Sequence, residues 1–291
     1  MRDVLLEELD REDRAAPLAI LNDAIQDFPG LEDVGPSFID PAAPLRNQAA
    51  MFLDALMSTH WTAATALARS FLDEGLSLTD LHAHVIQPAL REIGRLWQTR
   101  RIGVEHEHTA TAITLGVLAQ LRLEHPTPTP DAPVLVAACV EGELHDIGLR
   151  MVVDRYEREG CHVLYLGANT PIGAVVTAVA ESRARTLALS ATMTPHINQV
   201  ARTIEALRAD TRTRPTNVIV GGLPFIIAPD IWHKIGADAS ATDVESVPLG
   251  CLQGFAAVSP PGHRCEARNP RLNPSSDLVA TPQDLSSGAE P

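Results

Sequence analysis

The stretch VLVAACVEGELHDIG, residues 134–148, decides the fold class. Val134–Cys139 is a short apolar run, the composition of a buried strand. A helical pattern resumes near residue 146. A strand that feeds a helix through a short loop is the opening unit of a parallel α/β sheet.

The alternation continues toward the C-terminus. His162–Leu166, Thr186–Ser190, Asn217–Val220 and Ala237–Ala239 read as further strands. Helical stretches lie near 146–159, 171–184, 196–209 and 225–235, and a last helix is expected to start near Thr242. Residues 134–258 thus predict a Rossmann-like, doubly wound parallel sheet, in which ligands bind at the carboxyl ends of the strands. Residues 259–291, rich in Pro, Ser, Gly and Asn, read as a disordered tail.

Toward the N-terminus the pattern changes. HPTPTPDAP, residues 125–133, alternates prolines and reads as an extended linker. Residues 43–124 predict a four-helix bundle. Leu45, Ala49, Phe52, Leu53 and Leu56 share a face of the first helix, and the second runs from about His60 to Asp73. The third follows Ser77 and carries Leu81, Val85, Ile86, Leu90, Ile93 and Trp97. The fourth begins near Val104 and carries Ala110, Ile113, Val117 and Leu121. Residues 1–42 read as a helical extension ending in a Pro/Gly loop. The fold class is α plus α/β, a bundle followed by a sheet domain.

Composition narrows the function classes. No apolar run approaches bilayer-spanning length, and the acidic N-terminus lacks a signal-peptide core. Four scattered cysteines without a CxxC pair suit a reducing cytoplasm. A net charge of −14 disfavours tight unaided DNA binding. The arginines at 202, 208, 212 and 214 read as a solvated helix end.

The chemistry-bearing residues gather at strand ends. The loop after the first strand carries Glu143, His145, Asp146 and Gly148. Imidazole is a good metal ligand, its other nitrogen needs a fixing partner, and Glu143 is placed to be one. Gly148 would let the first helix approach closely. Taken alone, a His in such a loop is more often a helix-start or packing residue. Two further elements add to it. Ser190-Ala-Thr192 follows the third strand, with 41 residues between Gly148 and Ser190, and Gly221-Gly222 follows the fourth, with 28 residues between Thr192 and Gly221.

Together these residues resemble the cobalamin-binding domain of methionine synthase, corrinoid mutases and light-sensing regulators. That family carries Asp-x-His-x-x-Gly, then Ser-x-Leu or Ser-x-Thr, then Gly-Gly. The resemblance implies cobalamin as cofactor (hydroxocobalamin or an alkylcobalamin), with His145 as the lower axial ligand of its cobalt. The nucleotide tail would lie beside Ser190, Thr192, Gly221 and Gly222, with Glu143 and Ser190 forming a relay behind the imidazole. Glu143 departs from the commoner Asp, although the light-sensing regulators also use Glu.

The bundle extends the resemblance. In GRLWQTRRIGVEHEHTAT, residues 94–111, Trp97 is followed by Glu107-His108, which in the regulators cover the upper corrin face. The alternative is a bundle-core Trp97 with Glu107 and His108 capping a helix. Glu105 and His108 are three apart and share a helix face, but no third zinc ligand is evident.

A mutase would need a substrate-binding barrel of ~250 residues, for which this chain has no room. A corrinoid methyl carrier and a gene regulator both fit. The familiar DNA-binding light sensors carry a His directly after the Trp, where this chain has Gln98. If the cofactor gains a protein ligand above the cobalt, His106 or His108 is the expected donor, with water or hydroxide as the alternative. The layout resembles the regulators of the AerR/PpaA type, which antagonise a photosystem-gene repressor of the CrtJ/PpsR type. The resemblance implies a cytoplasmic, non-enzymatic, light-responsive antirepressor, with a corrinoid carrier as the alternative.

Overall fold

Two helical turns of different kinds shape the bundle. The computed structural model describes residues 36–122 and 126–249, all within one compact unit. The bundle comprises α1 (Arg46–Met57), α2 (Trp61–Asp73), α3 (Leu78–Asp80), a π-helical turn (Leu81–Ile86), α4 (Gln87–Gln98) and α5 (Val104–Arg122). Ser77 starts the third helix by accepting the Asp80 N–H at 3.0 Å. The π turn precedes Pro88, which lacks the N–H an α-helix would need there. Instead the Gln87 N–H bonds to the His82 carbonyl, five residues back. Phe52, Leu56, Leu81, Ile86, Ile93 and Ile113 are buried at the bundle's centre, as their spacing predicts. Trp61 lies over Gly116, where a Cβ would sit 2.1 Å from the indole.

The sheet has five parallel strands in the order β2-β1-β3-β4-β5: β1 (Val134–Val140), β2 (His162–Thr170), β3 (Thr186–Ser190), β4 (Asn217–Gly221) and β5 (Ala239–Ala241). Helices α6 (Ile147–Arg158), α7 (Ile172–Ser182) and α8 (Ile197–Ala209) connect the first four. Cys139 pairs with Ser190, Ser190 with Gly221 and Gly221 with Ala241, so the strand ends form one row. The strand order reverses between β1 and β3, the switch point at which such sheets hold ligands.

Three expectations need correction. The helix expected over 225–235 is two short ones, α9 (Leu223–Ile227) and α10 (Ile231–Lys234), because Pro229 interrupts it. The last strand starts at Ala239 rather than Ala237, because Asp238 turns its side chain back to accept the Val218 N–H at 2.7 Å. No helix starts near Thr242. There Asp243 accepts the N–H of Glu245 and Ser246, and Ser246 Oγ accepts those of Thr242 and Asp243, forming a tight turn. The helical part expected in 1–42 lies outside the described residues, 36–42 are bends and turns as expected of its closing loop, and the tail at 259–291 lies outside the described residues altogether.

That turn straps the sheet half to the bundle. Val244 joins the bundle core, as does Met151 of α6. Glu245 sits 3.4 Å from His84, and the Tyr156 hydroxyl donates to the Pro248 carbonyl. Arg122 of α5 pairs with Glu157 of α6, and Arg155 donates to Thr79. The arginine patch is spent on local structure: Arg208 holds Asp238 and two backbone carbonyls, and Arg212 holds Asp210. Among the described residues no helix is long and apolar enough to cross a membrane.

The same seam buries an acid. Asp154 of α6 lies 3.8 Å from His82 of the π turn, beyond hydrogen-bond reach. Burial dominates and pushes its carboxyl up to about 7, against the opposing charge of Arg122. A raised carboxyl pKa means that its favourable contribution is complete below ~3.9 and is lost as pH rises to about 7. Asp154→Asn, which cannot ionise, is therefore expected to be more stable than wild type at pH 8 by on the order of 1 kcal/mol, with no gain at pH 4. Thermal melts at both pH values check this; an equal change at both would remove ionisation as the cause.

Candidate functional site

Glu143 is the centre around which the strand-end loops are arranged. Its side chain is fully buried, so its charge must be satisfied by the protein. Oε1 accepts the backbone N–H of His145 at 2.9 Å and meets His145 Nδ1 at 2.5 Å. Oε2 accepts the N–H groups of Thr192 at 2.6 Å and Met193 at 3.1 Å, and meets His196 Nδ1 at 2.9 Å. Burial pushes the Glu143 carboxyl up, but the hydrogen bonds from His145, His196 and Thr192 outweigh it and hold the group well below the usual carboxylate range. One carboxylate thereby joins the loops after β1 and β3.

The loop carrying Glu143 is itself clamped. Asn169, at the end of β2 in a left-handed conformation (φ 51°), donates its N–H to the Glu143 carbonyl and accepts the Gly142 N–H through Oδ1 at 2.8 Å. With Nδ1 engaged, His145 directs its chemistry through Nε2, on a side chain that is 61% exposed. The Glu143 hydrogen bond, opposed by burial and helped by the charges of Glu143 and Glu107, raises the imidazole pKa. Glu107 of the bundle is thus close enough to bias a histidine of the sheet half.

The other expected residues fall into distinct positions. Asp146 is turned away from His145: its Oδ2 accepts from Tyr165 at 2.7 Å and from Arg150 at 3.0 Å, and Arg150 covers the Tyr165 ring. Gly148 does not serve close helix packing, because a Cβ there would meet nothing within 4 Å. Ser190 is not brought onto Glu143. The Cys139 thiol, its neighbour across the ladder, donates to the His145 carbonyl at 3.7 Å, and burial pushes that thiol up to about 12. Thr192 reaches Glu143 through its backbone only among the bonds described.

Gly221 and Gly222 owe their identity to the protein itself. A Cβ on Gly222, at φ 113°, would lie 2.0 Å from the Ala191 carbonyl oxygen, and one on Gly221 would lie 3.2 Å from that of Ala241. Gly222→Ala is therefore expected to destabilise the protein by roughly 2–4 kcal/mol, through a backbone clash and a disfavoured φ. Chemical denaturation checks this; a loss under ~0.5 kcal/mol would mean that the two loops are not packed this closely.

On the bundle side, Trp97 is 45% exposed and so is not a core anchor. Glu107 and His108 lie in the first two turns of α5. Glu107 accepts from Thr111 at 3.0 Å, and the largely exposed His108 lies 3.6 Å from Glu107. Glu105 is taken by neighbouring His106 at 3.0 Å rather than converging with His108. His196 and Asn169 escaped the sequence reading. In SATMTPHIN, residues 190–198, a Pro-His pair opening a helix carries no ligand signature, and Asn169 reads as an ordinary turn residue.

Comparison with known proteins agrees with this geometry. A family model described as a B12 binding domain matches residues 133–247, and a second of the same description matches 48–122. The HTH-type transcriptional repressor CarA of Myxococcus xanthus is 32% identical over 202 residues, 67% of this chain and 67% of that protein. Dimethylamine corrinoid protein 1 of Methanosarcina mazei is 31% identical over 155 residues, 52% of this chain and 70% of that protein. The solved monomethylamine corrinoid protein of Methanosarcina barkeri superposes with a TM-score of 0.60 at 19% identity, covering 69% of this chain and 95% of that one, which shows the shared fold.

Proposed function

The chain belongs to the family of B12-binding proteins and binds cobalamin, and from that premise we propose that it is a light-responsive antirepressor of the AerR/PpaA type, acting on a repressor of the CrtJ/PpsR type. The observation that carries the regulatory reading is the extent of the likeness to CarA. It runs over 202 residues, against 155 for dimethylamine corrinoid protein 1 of Methanosarcina mazei.

The residues at the strand ends fit a corrinoid. His145 offers Nε2 from a ring fixed at Nδ1. Gly148 leaves open space that no protein atom fills. Leu144, Met193 and Leu223, just beyond the ends of β1, β3 and β4, are exposed apolar side chains suited to a large, mostly apolar ligand. His145 would hold the cobalt from below, and Glu143 would fix the tautomer. Trp97, Glu107 and His108 would face the ligand from the bundle. When bound, the corrinoid supplies a metal centre that absorbs visible light and exchanges its upper ligand.

In this reading the protein catalyses no reaction of its own. Its output is a difference in how its lit and dark forms bind the repressor, since only unequal binding shifts an equilibrium. The bundle, strapped to the sheet half through Val244 and the Arg122–Glu157 pair, is the element positioned to report a change at the ligand. A methyl carrier is the second reading, favoured by the 31% identity to a dimethylamine corrinoid protein.

A promoter-binding assay with the repressor, in light and dark and with and without cobalamin, tests the proposal. Repressor occupancy is expected to change with the cobalamin-loaded protein and to depend on light, while the protein alone leaves DNA unbound. Unchanged occupancy in all four conditions, together with methyl transfer from the bound corrinoid to a partner enzyme, would replace the regulator with the carrier.

A further inference from the structure

We propose that His196 is the third member of a His145–Glu143–His196 relay, a positioning residue that sets how strongly Glu143 polarises the cobalt-binding imidazole; the inference rests on the cobalamin reading of His145. A buried carboxylate has about four acceptor sites to share. Here one oxygen serves His145 and the other serves two backbone N–H groups and the His196 ring. The backbone donors belong to the loop after β3 and do not depend on side-chain identity. His196 is the one side chain holding Oε2 among the described hydrogen bonds.

Its ring is delivered rigidly. His196 closes the 3-10 turn Thr194–His196, its own N–H bonds to the Met193 carbonyl, and α8 begins at the next residue. The far edge of the ring lies against Gly142, where a Cβ would come 3.2 Å from Nε2. His196 is therefore wedged between the glycine turn before Glu143 and the carboxylate itself, with its side chain 22% exposed. Ser190, which the family resemblance would put behind Glu143, makes no hydrogen bond to it among those described, and the His196 imidazole stands on that carboxylate instead.

The consequence is electronic as well as geometric. A charge-assisted hydrogen bond draws on carboxylate charge, and charge drawn toward His196 is not available to His145 Nδ1–H. Without the His196 donor, Oε1 should pull harder on that proton, and Nε2 should become a stronger donor to cobalt. His196→Leu removes the donor. His196→Asn restores it, because the Asn amide nitrogen stands where Nδ1 stood. His196→Gln places the amide at the Nε2 position, away from Glu143.

The test reads the paramagnetic resonance spectrum of the protein loaded with cob(II)alamin, in which an axial nitrogen splits the cobalt lines, together with cobalamin affinity. Leu and Gln are expected to shift the splitting and to change affinity about 10-fold, the scale for partners behind a metal ligand, and Asn is expected to match wild type. If the Leu variant fails to fold, the Asn and Gln pair carries the same comparison. A wild-type complex without nitrogen splitting overturns the lower-ligand reading and the relay with it. A split wild-type spectrum with Leu or Gln unchanged overturns the relay alone.

Discussion

His145→Ala is expected to remove cobalamin binding while leaving the cofactor-free protein folded. The side chain is 61% exposed, so its truncation takes little out of the core. The Glu143 oxygen that it occupies keeps the His145 backbone N–H, which alanine also provides. The cost to stability is thus that of one half-buried hydrogen bond, ~1 kcal/mol. The effect on the cofactor is much larger, because the variant deletes the sole nitrogen presented to the metal by this loop. Partners one step removed from a metal are worth ~10–100-fold in affinity, and the ligand itself should exceed that. Titration of hydroxocobalamin followed by visible absorption checks both parts. An unchanged spectrum and affinity in a normally melting variant would show that His145 is not the axial ligand.

The parts of this design that were legible in the sequence are those with a period or a spacing. The buried faces of the bundle helices recur every three or four residues, and all but Trp97 are buried or half-buried as read. The strand ends carrying His145, Ser190 and Gly221 were placed by counting, and the ladder puts Cys139, Ser190 and Gly221 in one row. What escaped were contacts that depend on a side chain's direction. Nothing in the order of residues shows that Asp146 turns to Tyr165, 19 residues on, or that the Cys139 thiol turns to the His145 carbonyl. His196 lies 53 residues from Glu143, and a π turn that detours around Pro88 leaves no compositional mark. The Thr242 turn was misread for a related reason: its Asp and Ser side chains satisfy the backbone locally, which competes with helix formation.

Glu143→Gln should separate the two functions that the carboxylate combines, and it is expected to damage both. The side chain accepts on both oxygens: two N–H groups of His145 on one, and Thr192, Met193 and His196 on the other. An amide has only one acceptor oxygen. Whichever way it is turned, its NH2 must face donors at a side chain that is fully buried. A buried polar group left facing donors costs ~1–3 kcal/mol, and more where a charge had been satisfied. The cofactor-free variant should therefore melt well below wild type, unlike His145→Ala. Its cobalamin affinity should also fall ~10–100-fold, since the imidazole loses the acceptor that fixes its tautomer. The pH dependence follows from the depressed carboxyl pKa. Glu143 contributes stability above its unfolded value of ~4.3 and loses it as pH falls toward the lower folded value. The gap between wild type and Glu143→Gln should thus be full at pH 7 and close as the solution is acidified below ~4.3. Melting curves across that range, paired with cobalamin titrations at pH 7, check both. A variant that melts like wild type at pH 7 would mean that the carboxylate is not the buried junction of the β1 and β3 loops. One that melts low but binds cobalamin with wild-type affinity would leave Glu143 a purely structural acid, with the His145 tautomer fixed by another group.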